Sequence, residues 1–143
     1  MDIKKVKVNS EAIDAGEWVK DLPEMDDLEV RVRGLNNADY ENLQQKLILN
    51  VPFKRRRRGM QKEDRERIQN QCLIETVLYD WRNLTDGGTA VPYSKEAAEK
   101  YIADPDYRAF RDAVIYAASI VGESKDEEDD ATEKNSDARS ATS

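Results

Sequence analysis

The side chains that most often perform acid–base, nucleophilic or metal chemistry are scarce in this 143-residue sequence. It contains no histidine, which is the commonest general acid–base group and transition-metal ligand near neutral pH. Its one cysteine, Cys72, can form neither an intramolecular disulfide nor a thiolate metal cage. Because Cys72 lies in an apolar stretch with no histidine to activate it, we predict a buried packing residue rather than a nucleophile.

Carboxylates and one glycine-rich segment are the remaining candidates for chemistry. The 30 Asp and Glu residues form so many pairs that no acid–base dyad stands out. Asp86-Gly87-Gly88 lacks the Gly-Lys-Ser/Thr continuation of a phosphate loop and the ligand spacing of a calcium loop. Glycine tolerates positive φ, so this segment predicts a tight turn. We therefore expect a protein that is not an enzyme and that holds no cofactor and no metal.

The charged residues are concentrated in three blocks. Residues 54–67 contain eight bases and three acids, and the block begins with five consecutive bases. Residues 11–29 contain eight acids and one base, and residues 123–143 contain eight acids and three bases. Alanine is the only apolar residue type in the last block, which leaves too little apolar surface to offset the entropy of ordering. We predict a disordered acidic C-terminal tail over residues 123–143.

The basic run has two interpretations. Clustered bases neutralise phosphates and release counterions, but a nucleic-acid reader usually adds aromatic side chains or a groove-sized helix, and the non-polar neighbours here are Phe53 and Met60. We therefore favour a solvated hinge or an electrostatic contact with an acidic protein partner. Internal pairing with residues 11–29 is the simplest form of this interpretation. The candidate contact residues are Arg55, Arg56, Arg57 and Arg58.

Hydrophobic periodicity predicts an α+β fold that is mainly α. Residues 28–33 alternate apolar and charged side chains, which is typical of a strand buried on one face, and residues 3–8 and 17–20 are weaker strand candidates. These segments predict a small N-terminal antiparallel sheet within residues 1–34. Such a short sheet needs helices against its inner face.

About four helices are predicted after this sheet. Asn37 and Ser94 provide N-caps for two of them, Pro52 stops the first, and the Asp104-Pro105 pair opens the last. The helices cover about residues 37–51, 65–81, 95–103 and 105–121.

We expect one globular domain over residues 1–122 followed by the acidic tail. Its small β part is residues 1–34, and its helical part is residues 35–122 with a basic linker at 54–62. Neither a membrane-spanning segment, which needs about 20 apolar residues, nor a secretory signal is predicted. We therefore expect the protein in the cytoplasm, without a membrane partner.

Four aromatic side chains lie between residues 81 and 110: Trp81, Tyr93, Tyr107 and Phe110. Aromatic residues with a polar end are frequent both in cores and at recognition surfaces. Core packing is the default expectation. The alternative makes Trp81, Tyr93 and Tyr107 candidate partner-binding residues or their support.

The order of motifs in the second half of the chain is similar to a known family. A leucine and a tryptophan precede a short glycine turn, a Val-Pro-aromatic-Ser segment, a short helix, an Asp-Pro pair and a last helix. The segments are Val77-Leu78-Tyr79-Asp80-Trp81-Arg82-Asn83-Leu84, Asp86-Gly87-Gly88, Val91-Pro92-Tyr93-Ser94 and Asp104-Pro105-Asp106-Tyr107, with Phe110 following. Together with Trp18-Val19-Lys20-Asp21-Leu22-Pro23 and Val30-Arg31-Val32-Arg33-Gly34, they resemble the tail assembly chaperones of long-tailed, siphovirus-type bacteriophages and prophages. The likeness spans most of residues 17–122 and uses structural motifs.

This resemblance implies a small non-enzymatic chaperone. It would coat the long, aggregation-prone tape-measure protein in the host cytoplasm, recruit tail-tube subunits, self-associate, and be absent from finished particles. In that family a longer form is often made by ribosomal frameshifting, and this chain would be the short form. The family's partner-binding residues form no fixed motif. We assign Trp81, Tyr93 and Tyr107 to an apolar contact or its support, and Arg55 to Arg58 to an electrostatic contact.

Two other functions remain open at the level of sequence. The first is a nucleic-acid-associated regulator that uses the basic run at 54–67, with the acidic tail competing for the same surface; we favour it less than a protein partner. The second is a structural connector that stays in the virion.

Overall fold

The computed structural model of the protein describes residues 1–123. Apart from Glu123, the predicted acidic tail lies outside these residues. The described part has the predicted α+β architecture, with a small antiparallel sheet and a majority of helical residues. Its α-helices are α1 Ser10–Ala15, α2 Ala38–Leu49, α3 Phe53–Arg57, α4 Lys62–Thr76, α5 Lys95–Ala103 and α6 Arg108–Ile120. Its strands are β1 Glu17–Val19, β2 Glu29–Val32, β3 Leu78–Arg82, β4 Thr85–Asp86 and β5 Thr89–Ala90.

The main sheet has the order β1-β2-β3, and both pairings are antiparallel. Val30 and Val32 of β2 are fully buried, while Arg31 between them is exposed. This alternation is what a strand with one buried face requires, so the predicted strands at 17–20 and 28–33 are confirmed. The strand predicted at 3–8 is wrong. There Asp2 accepts a hydrogen bond from the Lys4 backbone N–H and caps a 3₁₀ turn over Ile3–Val6.

The third strand comes from a segment that the sequence pattern placed in a helix. The predicted helix over 65–81 ends at Thr76 as α4, and Leu78–Arg82 pairs with β2 instead. The apolar spacing of this segment is compatible with a helix as well as with a strand. Only as a strand can Leu78, Tyr79 and Trp81 pair with β2, which is buried on one face. The sheet is therefore not confined to residues 1–34.

The helices otherwise follow the predicted boundaries closely. Asn37 accepts from the Tyr40 N–H and caps α2, and Ser94 accepts from the Ala97 N–H and caps α5. Two short helices were not predicted: α1, capped by Asn9, and α3, which lies inside the predicted basic linker. The predicted glycine turn is confirmed as the connection of the β4–β5 hairpin, where Gly87 and Gly88 both have positive φ.

The hydrophobic core lies between the main sheet and helices α4, α5 and α6. Leu73, Leu78, Ile102 and Val114 are among its fully buried side chains. The predicted apolar stripe of the last helix is buried as expected, namely Phe110, Ala113, Val114, Ala117 and Val121. Helix α2 packs beside α4 on the outside of this core. Among residues 1–123, no helix combines the length and the apolarity needed to cross a bilayer.

Candidate partner-binding surfaces

Trp81, the first aromatic candidate, lies in the core. It is 4% exposed, and its indole Nε1 donates a hydrogen bond to the Val91 carbonyl at 2.7 Å. Its ring meets Tyr93 and Phe110 edge to face at centroid distances of 5.0 and 5.8 Å. A side chain with this burial and a satisfied N–H stabilises the fold and does not offer its ring to a partner.

Tyr93 and Tyr107 belong to the same aromatic cluster. Tyr93 is half-buried, and its hydroxyl donates to the Leu78 carbonyl at 3.4 Å; burial, followed by the negative charge of Asp80, raises the pKa of Tyr93. Tyr107 is 38% exposed and packs edge to face against Tyr101 at 4.9 Å. Of the three aromatic candidates, only Tyr107 presents much of its ring to solvent.

Tyr101 joins this cluster although it was not among the candidate residues. Its hydroxyl donates to an Asp86 carboxylate oxygen at 3.0 Å, and this hydrogen bond, with burial, raises the pKa of Tyr101. The contact ties α5 to the β4–β5 hairpin. The signal in the sequence was the spacing of Ala98, Tyr101 and Ile102 on the buried face of α5.

The basic run forms α3, and two of its arginines are held by the fold. The Arg55 guanidinium donates to both carboxylate oxygens of Asp64 at 3.1 and 3.3 Å. Arg56 donates to the Val51 carbonyl at 3.0 Å and lies over the Phe53 ring at 5.6 Å. Asp64 is 7% exposed and lies in the first turn of α4. These contacts fix the position of α3 against α4.

The other bases of the run are exposed, together with two large apolar side chains. Leu49 and Phe53 are 66% and 65% exposed, and Lys54, Arg57 and Arg58 are also exposed. Within residues 1–123, none of these three bases takes part in an ion pair or a side-chain hydrogen bond. We call these five residues the α3 surface. Sequence reasoning noted Phe53 as a neighbour of the run, but it placed Leu49 in an amphipathic helix and gave no sign that Leu49 is exposed.

A groove with an apolar floor adjoins the α3 surface. It runs between α2 and α4, and Tyr40, Ile48, Met60 and Ile68 line its floor. Lys62, Arg65 and Glu66 of α4 also line it, and Lys62 forms an ion pair with Glu66 at 3.7 Å. Met60 follows Arg58 by two residues in sequence, so the groove begins close to the α3 surface, and both combine apolar and charged side chains.

The acidic block at 11–29 does not neutralise the basic run. No ion pair in the described part of the chain joins the two, and the internal pairing considered for them is therefore wrong. The physical reason is the topology. Residues 11–29 lie in α1, in β1, at the start of β2 and in the segment between these two strands, where the Asn83 side chain donates to the Asp27 carbonyl, whereas α3 packs against the first turn of α4.

Over residues 1–123, no group of three or more His, Cys, Asp or Glu side chains is placed to hold a metal ion. Cys72 is completely buried, as predicted, and burial raises the pKa of its thiol.

Comparison with known proteins identifies the class to which the chain belongs. The family model described as YdaY prophage protein matches residues 35–135, which is well over half of the chain. The protein therefore belongs to the YdaY prophage protein family and is a phage or prophage protein. No curated protein and no solved structure matches it.

Proposed function

We propose that this prophage protein is a tail assembly chaperone that binds and solubilises the tape-measure protein and helps to recruit tail-tube subunits. The observation that carries the proposal is the region of mixed apolar and basic character made by the α3 surface and the α2–α4 groove. Membership of a prophage family supports the phage context, and the likeness of residues 17–122 to tail assembly chaperones supports the specific task.

The exposed apolar side chains favour a macromolecular client. Burying a Leu or Phe side chain contributes roughly 1.5–3 kcal/mol of favourable free energy. Leu49 and Phe53 are exposed and do not gain it within the fold, but a partner that covers them would supply it. An amphipathic helix laid into an apolar groove is a common mode of recognition, in which the helix places side chains at i, i+3, i+4 and i+7. Helical segments of a tape-measure protein with exposed apolar stripes fit this mode.

Under this proposal the aromatic cluster supports the binding region and does not touch the client. Trp81, Tyr93 and Tyr101 tie the sheet, α5 and the β4–β5 hairpin together. Residues Arg57 and Arg58 make the electrostatic contact proposed for the run, while Arg55 and Arg56 hold α3 in place. The protein acts in the host cytoplasm without catalysis, cofactor or metal, and leaves before the particle is finished.

Co-expression with the tape-measure protein of the same phage or prophage tests the proposal. We expect the client to shift from the insoluble to the soluble fraction when this chain is present, and the two to copurify. A client that is equally soluble with and without the chain would contradict the proposal. Detection of the chain in purified particles would instead support a structural connector of the virion.

A nucleic-acid-binding function is the second candidate, and the bases of the α3 surface, which form no ion pair within residues 1–123, favour it. Binding that neutralises phosphates weakens steeply with salt. Unchanged mobility of duplex and single-stranded DNA at low salt would remove this candidate. A shift that is lost at moderate salt and is absent in R57E/R58E would favour it over the chaperone.

A further inference from the structure

The positive charge of α3 has no counterpart on its own helix. Four of its five residues are basic and none is acidic. Like charges three or four residues apart, such as Lys54 with Arg57 and with the C-cap residue Arg58, repel each other and destabilise a helix. A five-residue helix is too short to be stable alone. An anionic partner at Lys54, Arg57 and Arg58 would relieve this repulsion.

The chain has two acidic segments that could supply the anion, and the fold excludes one within a single copy. Residues 11–29 belong to α1, β1, the start of β2 and the segment between these two strands, and they make no ion pair with α3 among the described residues. The second segment is residues 124–143, with seven acids and three bases, five of the acids being consecutive at 126–130.

The family comparison also distinguishes the two acidic segments, because only one of them lies within the matched residues. The matched stretch, residues 35–135, contains both the basic run and the acids at 126–130. The acidic block at 11–29 lies outside it. The basic run and the acids at 126–130 therefore both lie within the matched stretch.

The C-terminal segment is long enough to reach the α3 surface. Arg111, near the start of α6, hydrogen-bonds Gln69 and Asn70 of α4, and Arg108 lines the same depression as Lys62. The path back along α6 and the first two turns of α4 covers roughly 30 Å. Twenty extended residues cover up to about 70 Å. At about 3.5 Å per residue from Gly122, the end of the acidic run, Asp129 and Asp130, comes within range of the long basic side chains of the α3 surface, and Glu133 and Asp137 lie further along.

We propose that residues 124–143 dock on the α3 surface of the same molecule, with their carboxylates against Lys54, Arg57 and Arg58. The contact is electrostatic, because alanine is the only apolar residue type in that segment. Leu49 and Phe53 stay available to a client, and the segment competes with acidic or phosphate-bearing partners for the bases. This docking does not depend on the identity of the client.

Paramagnetic relaxation measured by NMR on the full-length chain tests this docking. A spin label is attached to T132C, while the buried Cys72 stays unlabelled. We expect the backbone amides of residues 53–58 to broaden several-fold more than those of the main sheet at low salt. The selective broadening should disappear at high salt, because salt screens exposed charges. It should also disappear in D126N/E127Q/E128Q/D129N/D130N, which removes the five consecutive negative charges of the segment.

Two charge reversals of equal size provide matched controls. R57E/R58E removes the proposed site, and we expect it to abolish the selective broadening. K4E/K5E changes exposed bases near Asn9, which lies beside Gly122 where the segment begins, and we expect it to leave the broadening intact. All of these side chains are exposed, so both variants should unfold at the urea concentration of the wild type.

Three results would overturn the docking. The first is uniform broadening, or none, across residues 1–123. The second is loss of the effect in K4E/K5E with retention in R57E/R58E, which would place the segment on the nearest bases. The third uses an isotope-labelled chain mixed with a spin-labelled, unlabelled one: broadening at 53–58 in that mixture would assign the contact to a second copy.

Discussion

At the scale of single residues, Arg33 shows how one buried charge joins several elements. It is 8% exposed at the end of β2. Its Nε donates to the Asp14 carbonyl at 2.6 Å, and its Nη1 donates to Asp39 at 2.8 Å and to the Tyr79 hydroxyl at 2.9 Å. Burial alone would lower the pKa of Arg33, but the hydrogen bonds to Asp39 and Tyr79 outweigh it and raise that pKa. The guanidinium therefore stays charged and links α1, α2 and β3.

Replacing Arg33 by methionine should lower the free energy of unfolding by about 2 kcal/mol. The thioether keeps the apolar stem, but the hydrogen bonds of a desolvated guanidinium are lost, each being worth roughly 1.5–3 kcal/mol when one partner is charged. Asp39 is largely exposed, so water can solvate its carboxylate once Arg33 is removed, and this limits the loss of stability. Urea denaturation measures the change. R31M is the control on the exposed face of β2, and equal midpoints for R33M and R31M would contradict this assignment.

The thiol of Cys72 should be unreactive in the folded protein. It is fully buried, and its raised pKa keeps it protonated at neutral pH, whereas thiol reagents react with the thiolate. A chromogenic disulfide reagent should label it only in urea. In S119C, which adds a thiol on the exposed face of α6, we expect one rapid and one very slow equivalent. Two equally rapid equivalents would show that Cys72 is accessible and would reopen a nucleophilic function.

At the scale of elements, the α3 surface depends on one carboxylate of the neighbouring helix. Asp64 accepts from Arg55 and from Arg67 and lies in the first turn of α4, where negative charge is favourable. Pro52 precedes α3 and Gly59, with positive φ, follows it. The orientation of Lys54, Arg57 and Arg58 is therefore set chiefly by the Arg55–Asp64 contact.

Substituting Asp64 by asparagine should release α3. We expect the free energy of unfolding to fall by about 1–2 kcal/mol, because a part-buried charged hydrogen-bond acceptor and a favourable helix-dipole contact are lost. Trypsin should cleave after residues 54–58 several-fold faster than in the wild type. E63Q makes the same charge change at the exposed neighbouring position and should change neither quantity by much. Equal cleavage rates in D64N and E63Q would show that Asp64 does not hold α3.

The elements also show what the sequence could and could not predict. Strands β1 and β2 and helices α2, α5 and α6 followed from local signals, namely period-two alternation, the caps Asn37 and Ser94, and an apolar stripe. Strand β3 did not, because its helical spacing became a strand only through pairing with β2, which is 46 residues away in sequence at Val32 and Leu78. Core packing was the default expectation for the aromatic candidates, but burial of Trp81 depends on contacts with Tyr93, Tyr101 and Phe110, which local patterns do not arrange.

At the scale of the whole molecule, charge and apolar surface are segregated. Residues 1–123 carry a net charge of −3 and residues 124–143 carry −4, with a basic run at α3 and an acidic block at residues 11–29. Net negative charge favours solubility although the molecule exposes Leu49 and Phe53. This combination would suit the proposed task of holding an aggregation-prone client.

The most direct test of this account is the effect of the α3 surface on client solubility. Purified tape-measure protein is diluted from urea into buffer with the chain present, and light scattering is recorded. We predict that the wild type suppresses scattering, that L49S/F53S loses most of this suppression, and that Y116S, which alters a tyrosine 43% exposed on α6, retains it. Equal suppression by L49S/F53S and Y116S, or no suppression by the wild type, would contradict the account.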